Sequence, residues 1–575
     1  MCLVAALVHA LLFAIAYPPL DVWPAAFVSL APLVWLALRV DRSARAAGCV
    51  WLVSTAMWLV LERWLIGVSA VGWPLLAGYL ALYPAAFVWI GGRIARRWPE
   101  SQGRIAGALA TLWVALEFLR GVVVLTGYPW FLLAHPLIGT PIAQLAEWVG
   151  VYGVSLIIAL PQALGVTGLV RCRSGGARAV SVAGAGAILT LALTSGAVLE
   201  ARARIADAWS DQPGDAGPTA SLAVVQTNVP QSNKVAWSVE DRVRDFASMR
   251  DMTLDAATPG APDLIVWPET MFPGETLSPD AVTEIKRAGL VYEDGTPAWV
   301  FNEALLDLQR TAGAPMLVGS LGYDGLHIEA TPDGVEIEQE GKFNSAFLIE
   351  GGAVQPERYD KMHLTPFGEV MPGISWNDRL EGWLLSLGAS GMAFDLDAGR
   401  SVTVFAVPLR GAEPGQPRAL RVVTPICFET ATPGVCRRLV FSGGVRRADV
   451  LVNVTNDGWF GSAPGKRAQA LQVARWRCIE LRTPMVRAAN TGISASIDSA
   501  GGVQAAGPEN RSGRERVAGV MRATVSLPRR GLTVYARIGD AAGWLSLLVA
   551  GLAAAVTLRR AVGGAGGVVN EGMGR

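Results

Sequence analysis

Residues 420–433 read LRVVTPICFETATP, and they place a cysteine where a β-branched run meets a proline and then a turn. The run before Pro425 predicts a buried β-strand, so Cys427 and Glu429 follow the end of that strand. In α/β folds the loops after strands carry ligands and chemistry. The stretch therefore predicts an α/β domain with Cys427 in a functional loop.

Further short apolar runs lie on both sides of this stretch. Strands are predicted for SLAVVQTNV (221–229), DLIVWPET (263–270), APMLVGS (314–320), KFNSAFLIEGG (342–352), SVTVFAV (401–407), VLVNVTN (450–456) and GISASID (492–498). Helices are predicted over 239–257, near 300–312 and near 466–482. Strands alternate with helices first and then dominate. This order predicts an α/β sandwich of two sheets with covering helices.

The overall composition points to a membrane protein. The 575 residues are 51% hydrophobic and only 17% charged, whereas soluble domains are about 25% charged. A net charge of +1 gives no sign of nucleic-acid binding. The six cysteines are scattered without a C-x-x-C motif or a Cys/His cluster, so we expect no metal and no cofactor. A disulfide between Cys436 and Cys478 stays open.

Long apolar runs predict a multi-pass α-helical membrane domain. A spanning helix needs roughly 20 apolar residues. Candidate spans are 2–17, 24–39, 50–68, 73–92, 105–125, 145–170, 179–199 and 541–558. The first is short and could instead be a signal peptide, although it lacks a basic start.

The arginines set the orientation of the spans. They cluster after every second span, at Arg39, Arg42 and Arg45, at Arg93, Arg96, Arg97 and Arg104, at Arg171, Arg173 and Arg178, and at Arg559 and Arg560. Basic loops face the cytoplasm, so the large globular part is expected outside. The predicted organisation is a seven-helix transmembrane domain over 1–200, a globular domain over 219–525 on the outer face, a C-terminal transmembrane helix over 538–560 and a disordered tail over 561–575.

One predicted span carries two opposite charges. Glu117 and Arg120 are three residues apart and share a helix face. They could form a structural ion pair inside the bundle, or they could contact a lipid headgroup, because intramembrane charges often mark functional positions.

Lysine use indicates a second functional position. The chain has 44 arginines but five lysines, and one of the five, Lys361, lies in RYDKMHLTPFGEVMP (358–372) together with Glu369. A retained lysine indicates a need for a compact ammonium. A carboxylate base such as Glu269, this ammonium and the Cys427 thiol would form a nucleophilic site. A dyad of Cys427 with His363 is an alternative, and each residue alone could be merely structural.

The three stretches that hold Glu269, Lys361 and Cys427 resemble the carbon–nitrogen hydrolase (nitrilase) superfamily, whose sites use Glu, Lys and Cys in that order. A narrower resemblance, over about residues 10–558, is to the apolipoprotein N-acyltransferase family. It rests on YDKMHLTPFGEVMP, ICFET, VTNDGWFG and RAANTGISASID, and on the membrane stretches YPPLDVWPAAFVSLAPLVWLAL and LWVALEFLRGVVVLTGYPWFLL. The resemblance implies a nitrilase-like α-β-β-α sandwich as the catalytic domain, attached to the membrane domain.

The resemblance also implies roles for single residues. Glu269 matches the general base, Lys361 the lysine that stabilises the oxyanion, and Cys427 the nucleophile. The supporting and substrate-side positions are Glu369 and Glu429 as supporting acids, Phe428 through its backbone N–H, and Trp237, Asn344 and Trp459 on the substrate side.

The implied reaction is a two-step acyl transfer in a bacterial inner membrane. Cys427 takes an acyl chain from a phospholipid, phosphatidylethanolamine, and forms a thioester. The amine of a diacylglyceryl-modified N-terminal cysteine on an apolipoprotein then accepts the chain. The implied enzyme is a monomer with no nucleic-acid partner. Alternatives are a membrane-tethered amidase or nitrilase-type hydrolase, in which water is the second nucleophile, and a transporter or scaffold whose outer domain only binds.

Overall fold

The computed structural model describes residues 1–40, 42–172, 186, 196, 218–235, 237–331, 334–370, 396–410, 419–461, 463–509, 511–528 and 531–563. The chain divides into two compact units. One unit combines Met1–Ala203 with Ile538–Arg575, and the other is Arg204–Arg537.

Two six-stranded sheets form the second unit. Its strands are β1 Thr219–Gln226, β2 Leu264–Val266, β3 Met316–Asp324, β4 His327–Thr331, β5 Gly334–Glu338, β6 Gly341–Glu350, β7 Ala353–Asp360, β8 Phe405–Pro408, β9 Ala419–Val423, β10 Phe441–Ser442, β11 Val445–Arg446, β12 Val450–Thr455, β13 Met485–Ala489, β14 Ala495–Ile497, β15 Val503–Ala506 and β16 Gly519–Ser526. The first sheet has the order β16-β1-β2-β3-β6-β7 and the second the order β15-β14-β13-β12-β9-β8. β1, β2 and β3 run parallel, as do β9, β12 and β13, and antiparallel strands flank each trio.

Helices cover the sheets. They are Gln231–Val235, Val239–Ala256, Pro279–Ala288, Val300–Ala312, Pro433–Val440, Pro464–Leu481 and Val534–Ile538, with short 3₁₀ turns at Cys427–Ala431 and Asp457–Phe460. One apolar cluster joins both sheets, through Val224 and Val266 of the first and Val422 and Val452 of the second. A second cluster packs the helices Val239–Ala256 and Val300–Ala312 on the first sheet. These layers confirm the predicted α-β-β-α sandwich.

Parts of this unit were not predicted from the sequence. The helix Pro279–Ala288 and the strands β7, β13 and β16 are observed in addition to the predicted elements. β7, β13 and β16 each contain an arginine, which interrupts the apolar pattern used to recognise strands. Cys436 and Cys478 are both buried and free, so the open disulfide is not formed.

The first unit is made of apolar helices. Its α-helices are Cys2–Ala16, Ala31–Arg39, Ser43–Leu61, Gly72–Arg97, Gln102–Phe118, Ala146–Cys172 and Ala541–Gly563. Four helical segments are long and apolar enough to cross a membrane, namely Ser43–Leu61, Gly72–Arg97, Gln102–Thr126 and Pro141–Val170. The membrane character expected from the composition is thereby confirmed. The predicted seventh span (179–199), apart from two glycines, and residues 564–575 lie outside the described residues.

Glu117 and Arg120 hold an irregular segment of the first unit. Both side chains are buried. Glu117 Oε1 accepts hydrogen bonds from the Trp113 indole at 2.9 Å and from the backbone N–H of Leu133 at 2.7 Å. Arg120 donates to the backbone carbonyls of residues 130 and 131 at 2.8 and 3.0 Å. Each charged side chain therefore contacts the 130–133 segment, which gives both a structural role through the backbone. The two predicted alternatives, an ion pair with each other and a contact to a lipid headgroup, stay predictions.

This contact pattern predicts different effects for two substitutions of Glu117. Glu117→Ala leaves the Leu133 amide and the Trp113 indole without an acceptor, and the melting temperature of the detergent-purified protein is expected to fall by roughly 5 °C. Glu117→Gln keeps the Oε1 acceptor and should stay within about 2 °C of the parent. Equal melting temperatures for the two variants would argue against a structural role.

Candidate active site

Three side chains singled out from the sequence lie where strands end: Glu269 follows β2, Lys361 follows β7 directly and Cys427 follows β9. Asn456, which was not singled out, follows β12 in the same way. Parallel strands place their carboxyl ends at one edge of a sheet, which is where α/β folds bind ligands. Hydrogen bonds between these loops show that the two sheets meet there in one buried polar cluster.

Glu269 is buried and links the two sheets. Its Oε1 accepts a hydrogen bond from Asn344 Nδ2 at 2.7 Å, and its Oε2 accepts one from the backbone N–H of Asn456 at 2.7 Å. Asn344 belongs to β6 of the first sheet, whereas Asn456 follows β12 of the second. Gly319 on β3 provides space, because a β-carbon there would lie 2.5–2.8 Å from the backbone of residues 268–270.

Lys361 occupies the centre of the cluster. Its side chain is fully buried, and Nζ lies 2.6 Å from Glu369 Oε2 and 3.8 Å from Glu269 Oε1. Nζ also lies 3.2 Å from Thr365 Oγ1, to which it donates. Asn344 Nδ2 donates to Glu369 Oε1 at 3.0 Å as well as to Glu269. One amide and one ammonium therefore bridge the two carboxylates.

The two carboxylates have different electrostatic environments. Burial disfavours the ammonium, but the neighbouring acidic groups, Glu369 above all, outweigh it and raise the pKa of Lys361. Burial disfavours ionisation of Glu369, yet adjacent Lys361 lowers the pKa of that carboxyl below its ordinary value. Burial prevails at Glu269 and raises its pKa, in spite of Lys361. Glu369 is thus a fixed counterion, and Glu269 is the carboxyl suited to exchange protons.

Cys427 begins the 3₁₀ turn Cys427–Ala431 in a strained backbone conformation. Its φ is +51°, a region that costs a non-glycine residue roughly 1 kcal/mol or more and that recurs at functional sites. Thr430 Oγ1 donates to the Cys427 carbonyl at 3.1 Å, which closes the turn. The chain enters this turn shortly after strand β9, so Cys427 lies at the edge of the second sheet.

The thiol of Cys427 is neutral at rest. Burial raises its pKa, the charges of Glu269, Glu369 and Asp457 raise it further, and the charge of Lys361 opposes them. The charges of the predicted base, Glu269, and of the predicted ammonium, Lys361, therefore both act on the thiol. Because the thiol is neutral, it needs a base to become a nucleophile. Among the described residues, no group of three or more His, Cys, Asp or Glu is arranged to hold a metal ion.

Glu429 connects the segment 361–370 that follows β7, here called the lysine loop, to the 3₁₀ turn Cys427–Ala431, here called the cysteine turn. The carboxylate is fully buried. Its Oε1 accepts hydrogen bonds from the backbone N–H groups of Met362 at 2.8 Å and His363 at 3.0 Å, and its Oε2 accepts one from Ile426 N–H at 2.8 Å. The Tyr359 hydroxyl donates to the same carboxylate at 2.9 Å. The backbones on both sides, at 362–363 and at 426, are thereby fixed to one side chain.

The remaining predicted residues have varied positions. The Phe428 ring stacks on His363 with 5.8 Å between ring centroids, so Phe428 adjoins the cluster. Trp237 donates to Asp245 at 2.9 Å and packs on the apolar cluster beneath the helix Val239–Ala256. Trp459 is half-buried in the turn after β12. Substrate-side roles for these tryptophans and for Asn344 stay predictions.

Asn490 was missed by the sequence reasoning. Its Oδ1 accepts from Thr227 Oγ1 and from Val229 N–H, each at 2.7 Å, and its Nδ2 donates to Asn456 Oδ1 at 3.0 Å. It thus holds the residue whose N–H binds Glu269. Asn490 directly follows β13, and recognising that strand would have placed a polar residue at its end.

Comparisons with known proteins agree over nearly the whole chain. The family model "Apolipoprotein N-acyltransferase N-terminal domain" matches residues 9–164, and "Carbon-nitrogen hydrolase" matches residues 221–535. The apolipoprotein N-acyltransferase of Bordetella bronchiseptica is 31% identical, with 92% of each chain covered. That of Geobacter metallireducens is 27% identical, over 96% of this chain and 95% of the relative. The chain belongs to the apolipoprotein N-acyltransferase family.

Family membership supports an acyltransferase built on the nitrilase-superfamily fold. The amidase from Nesterenkonia sp. AN1 is a solved structure similar to this chain, with 14% identity, a TM-score of 0.33, and coverage of 56% of this chain and 94% of that one. Glu269, Lys361 and Cys427 all lie within residues 221–535, the part of the chain that the carbon–nitrogen hydrolase model matches.

The tight approach at Gly319 predicts a defect in the folded protein. A Gly319→Ala methyl would push the backbone at Glu269 away from β3, and misplacing a reacting group by about 1 Å costs roughly 100-fold in rate. We expect acyl transfer to slow by about that factor at temperatures where the variant is folded, and we expect the melting temperature to fall, because the clash is with backbone atoms that cannot rotate away. Gly260→Ala is the matched control because a β-carbon at Gly260 meets nothing within 4 Å. Equal rates in both variants would contradict the inference.

Glu429 should give the stability a defined pH dependence. Burial raises its pKa from 4.5 to about 7, against the opposing backbone hydrogen bonds. The folded state then holds the proton more tightly than the unfolded chain, so the contribution is complete below about pH 4.5 and is lost as the pH rises through about 7. The melting temperature of Glu429→Gln should lack this fall between pH 4.5 and 7. Parallel pH profiles of the two proteins would refute the assignment.

Proposed function

We propose that this chain transfers an acyl chain from a membrane phospholipid to the N-terminal diacylglyceryl-cysteine of an apolipoprotein, by a ping-pong reaction. The observation that carries the proposal is the buried cluster in which Lys361 Nζ lies between Glu369 and Glu269 and in which their charges act on Cys427. The names of its relatives supply the acceptor class.

The first half of the reaction acylates the cysteine. Glu269 removes the thiol proton, and the sulfur of Cys427 attacks the carbonyl carbon of a phospholipid ester. The oxyanion that forms receives stabilisation from the Lys361 ammonium and from the N–H of Phe428. The C–O ester bond then breaks, Glu269 returns the proton to the leaving alkoxide, and lysophospholipid departs from the thioester.

The second half passes the chain to the acceptor. The neutral α-amine of the apolipoprotein cysteine attacks the thioester carbon, and Glu269 accepts a proton from that nitrogen. A C–N bond forms, the C–S bond breaks, and the sulfur regains the proton. Lys361 keeps its charge through both halves, because the carboxylate of Glu369 stays beside it.

The proposed setting is the bacterial cytoplasmic membrane. The pattern of arginine-rich loops supports a position of the domain of residues 219–525 on the outer face of this membrane, with the helix Ala541–Gly563 as the last span. Phosphatidylethanolamine is the proposed donor and a monomer the proposed state. Glu369 and Glu429 act as supporting acids that fix the lysine and the cysteine turn.

The test follows the acyl chain. The full-length protein in detergent micelles is mixed with phosphatidylethanolamine, and mass spectrometry is expected to find one acyl adduct on Cys427. A diacylglyceryl lipopeptide should remove the adduct as an N-acyl product much faster than water does. Lys361→Ala should form the adduct about 100- to 1,000-fold more slowly, since it lacks one preorganised oxyanion partner.

The controls separate this reaction from its rivals. Lys286→Ala removes a lysine from an exposed pair with Glu303 and should react at the parent rate. Fast clearance of the adduct by water alone would identify a hydrolase instead. Full function in Cys427→Ala would show that the domain only binds, and near-normal turnover in Lys361→Ala would refute the role of the lysine.

A further inference from the structure

A buried arginine lies behind the cysteine turn. Arg487 on β13 is 2% exposed. One of its terminal nitrogens, Nη2, donates to both carboxylate oxygens of Asp457, at 2.7 and 2.6 Å, and the other, Nη1, donates to Asn453 Oδ1 at 2.7 Å. Asp457 is also buried, and Thr455 Oγ1 donates to its Oδ1 at 3.2 Å. The guanidinium thus has a fixed, bidentate partner in the second sheet.

The hydrogen bonds continue from this arginine to the nucleophile. Asn453 lies opposite Arg487 in the parallel β12–β13 pair. Its Nδ2 donates to the carbonyl of Pro425 at 2.8 Å, two residues before Cys427. A chain of side-chain contacts therefore runs from β13 through β12 to the end of β9, where the backbone turns into the left-handed conformation of the cysteine.

Asp457 makes the charge of the arginine important. Its carboxylate is one of the groups whose charge raises the pKa of the Cys427 thiol. It has a fixed position, because Arg487 binds both of its oxygens and the backbone at Gly492 packs so closely that a β-carbon there would lie 2.0 Å from Oδ2. An unneutralised carboxylate whose charge acts on the thiol would disfavour the thiolate.

We propose that Arg487 is a positioning residue for the nucleophile: it neutralises Asp457 and, through Asn453, fixes the Pro425 carbonyl that precedes the cysteine turn. The inference deepens the proposed function, because it assumes that Cys427 is the nucleophile. A purely structural arginine would affect folding but would leave the thiol's acidity unchanged in the folded protein.

The test measures thiol reactivity rather than acyl transfer. Full-length protein in detergent is alkylated with iodoacetamide from pH 6 to 10, and modification of Cys427 is followed by peptide mass spectrometry. Arg487→Met is expected to slow alkylation at pH 7.5 about tenfold and to move the profile to higher pH. Arg487→Lys keeps the charge but loses the second nitrogen that holds Asn453, and it should slow alkylation about threefold.

Removing the carboxylate should reverse the defect. Arg487→Met combined with Asp457→Asn is expected to alkylate within about threefold of the parent rate, since no unpaired charge is left near the thiol. Asp457→Asn alone should alkylate faster than the parent. This single variant keeps the question decidable even where Arg487→Met does not fold. Slower or unchanged alkylation in Asp457→Asn would overturn the neutralising role.

A matched control lies in the same sheet. Arg421 on β9 pairs with Asp449, with 2.6 Å between Nη2 and Oδ1, and is half-exposed. Arg421→Met removes the same kind of pair and should alkylate at the parent rate. Parent-like alkylation in Arg487→Met would overturn the inference. Because alkylation needs no acyl donor, its outcome is independent of the test of acyl transfer, in which Cys427→Ala decides the proposed function.

Discussion

A fully buried ammonium with two carboxylate partners dominates the candidate site. Removing one member of such a buried set leaves an unpaired charge and costs about 3–5 kcal/mol in typical proteins. Lys361 and Glu369, 2.6 Å apart, must therefore enter the interior together, although they come from opposite ends of one loop. Glu269, in the loop after β2, is the second carboxylate partner, with 3.8 Å between its Oε1 and Lys361 Nζ. The geometry of two loops is thus fixed by one charge-neutralisation requirement.

Hydrogen bonds of polar side chains fix the position of one sheet relative to the other, which apolar packing alone cannot do. The core between the sheets consists of aliphatic residues such as Val224 and Val452, whose burial is favourable but not directional. Directional contacts occur at the strand ends, where Glu269 bonds to both sheets and Glu429 bonds to the lysine loop and the cysteine turn. Small shifts of one sheet against the other would break these bonds.

The sequence was informative where an ionisable or nucleophilic residue follows a mainly apolar strand. Glu269 and Cys427 were found in this way, and so were most strands of both sheets. Strand β13 was missed because Arg487 interrupts its apolar pattern, and the carboxylate that neutralises this arginine, Asp457, lies 30 residues earlier in the chain. The hydrogen bonds of Glu429 come from backbone amides of a loop 66–67 residues earlier in the chain, at Met362 and His363. No local sequence pattern predicts such a contact.

The choice of lysine over arginine at position 361 follows from this geometry. The chain has 44 arginines and five lysines, so a general demand for positive charge would have been met by arginine. Nζ has to lie within 3.8 Å of three separate oxygen atoms, those of Glu369, Thr365 and Glu269. A planar guanidinium suits two oxygens in its own plane, whereas a compact ammonium can donate in three directions. The proposed reaction, in which the site also accepts a transient oxyanion, favours the smaller cation for the same reason.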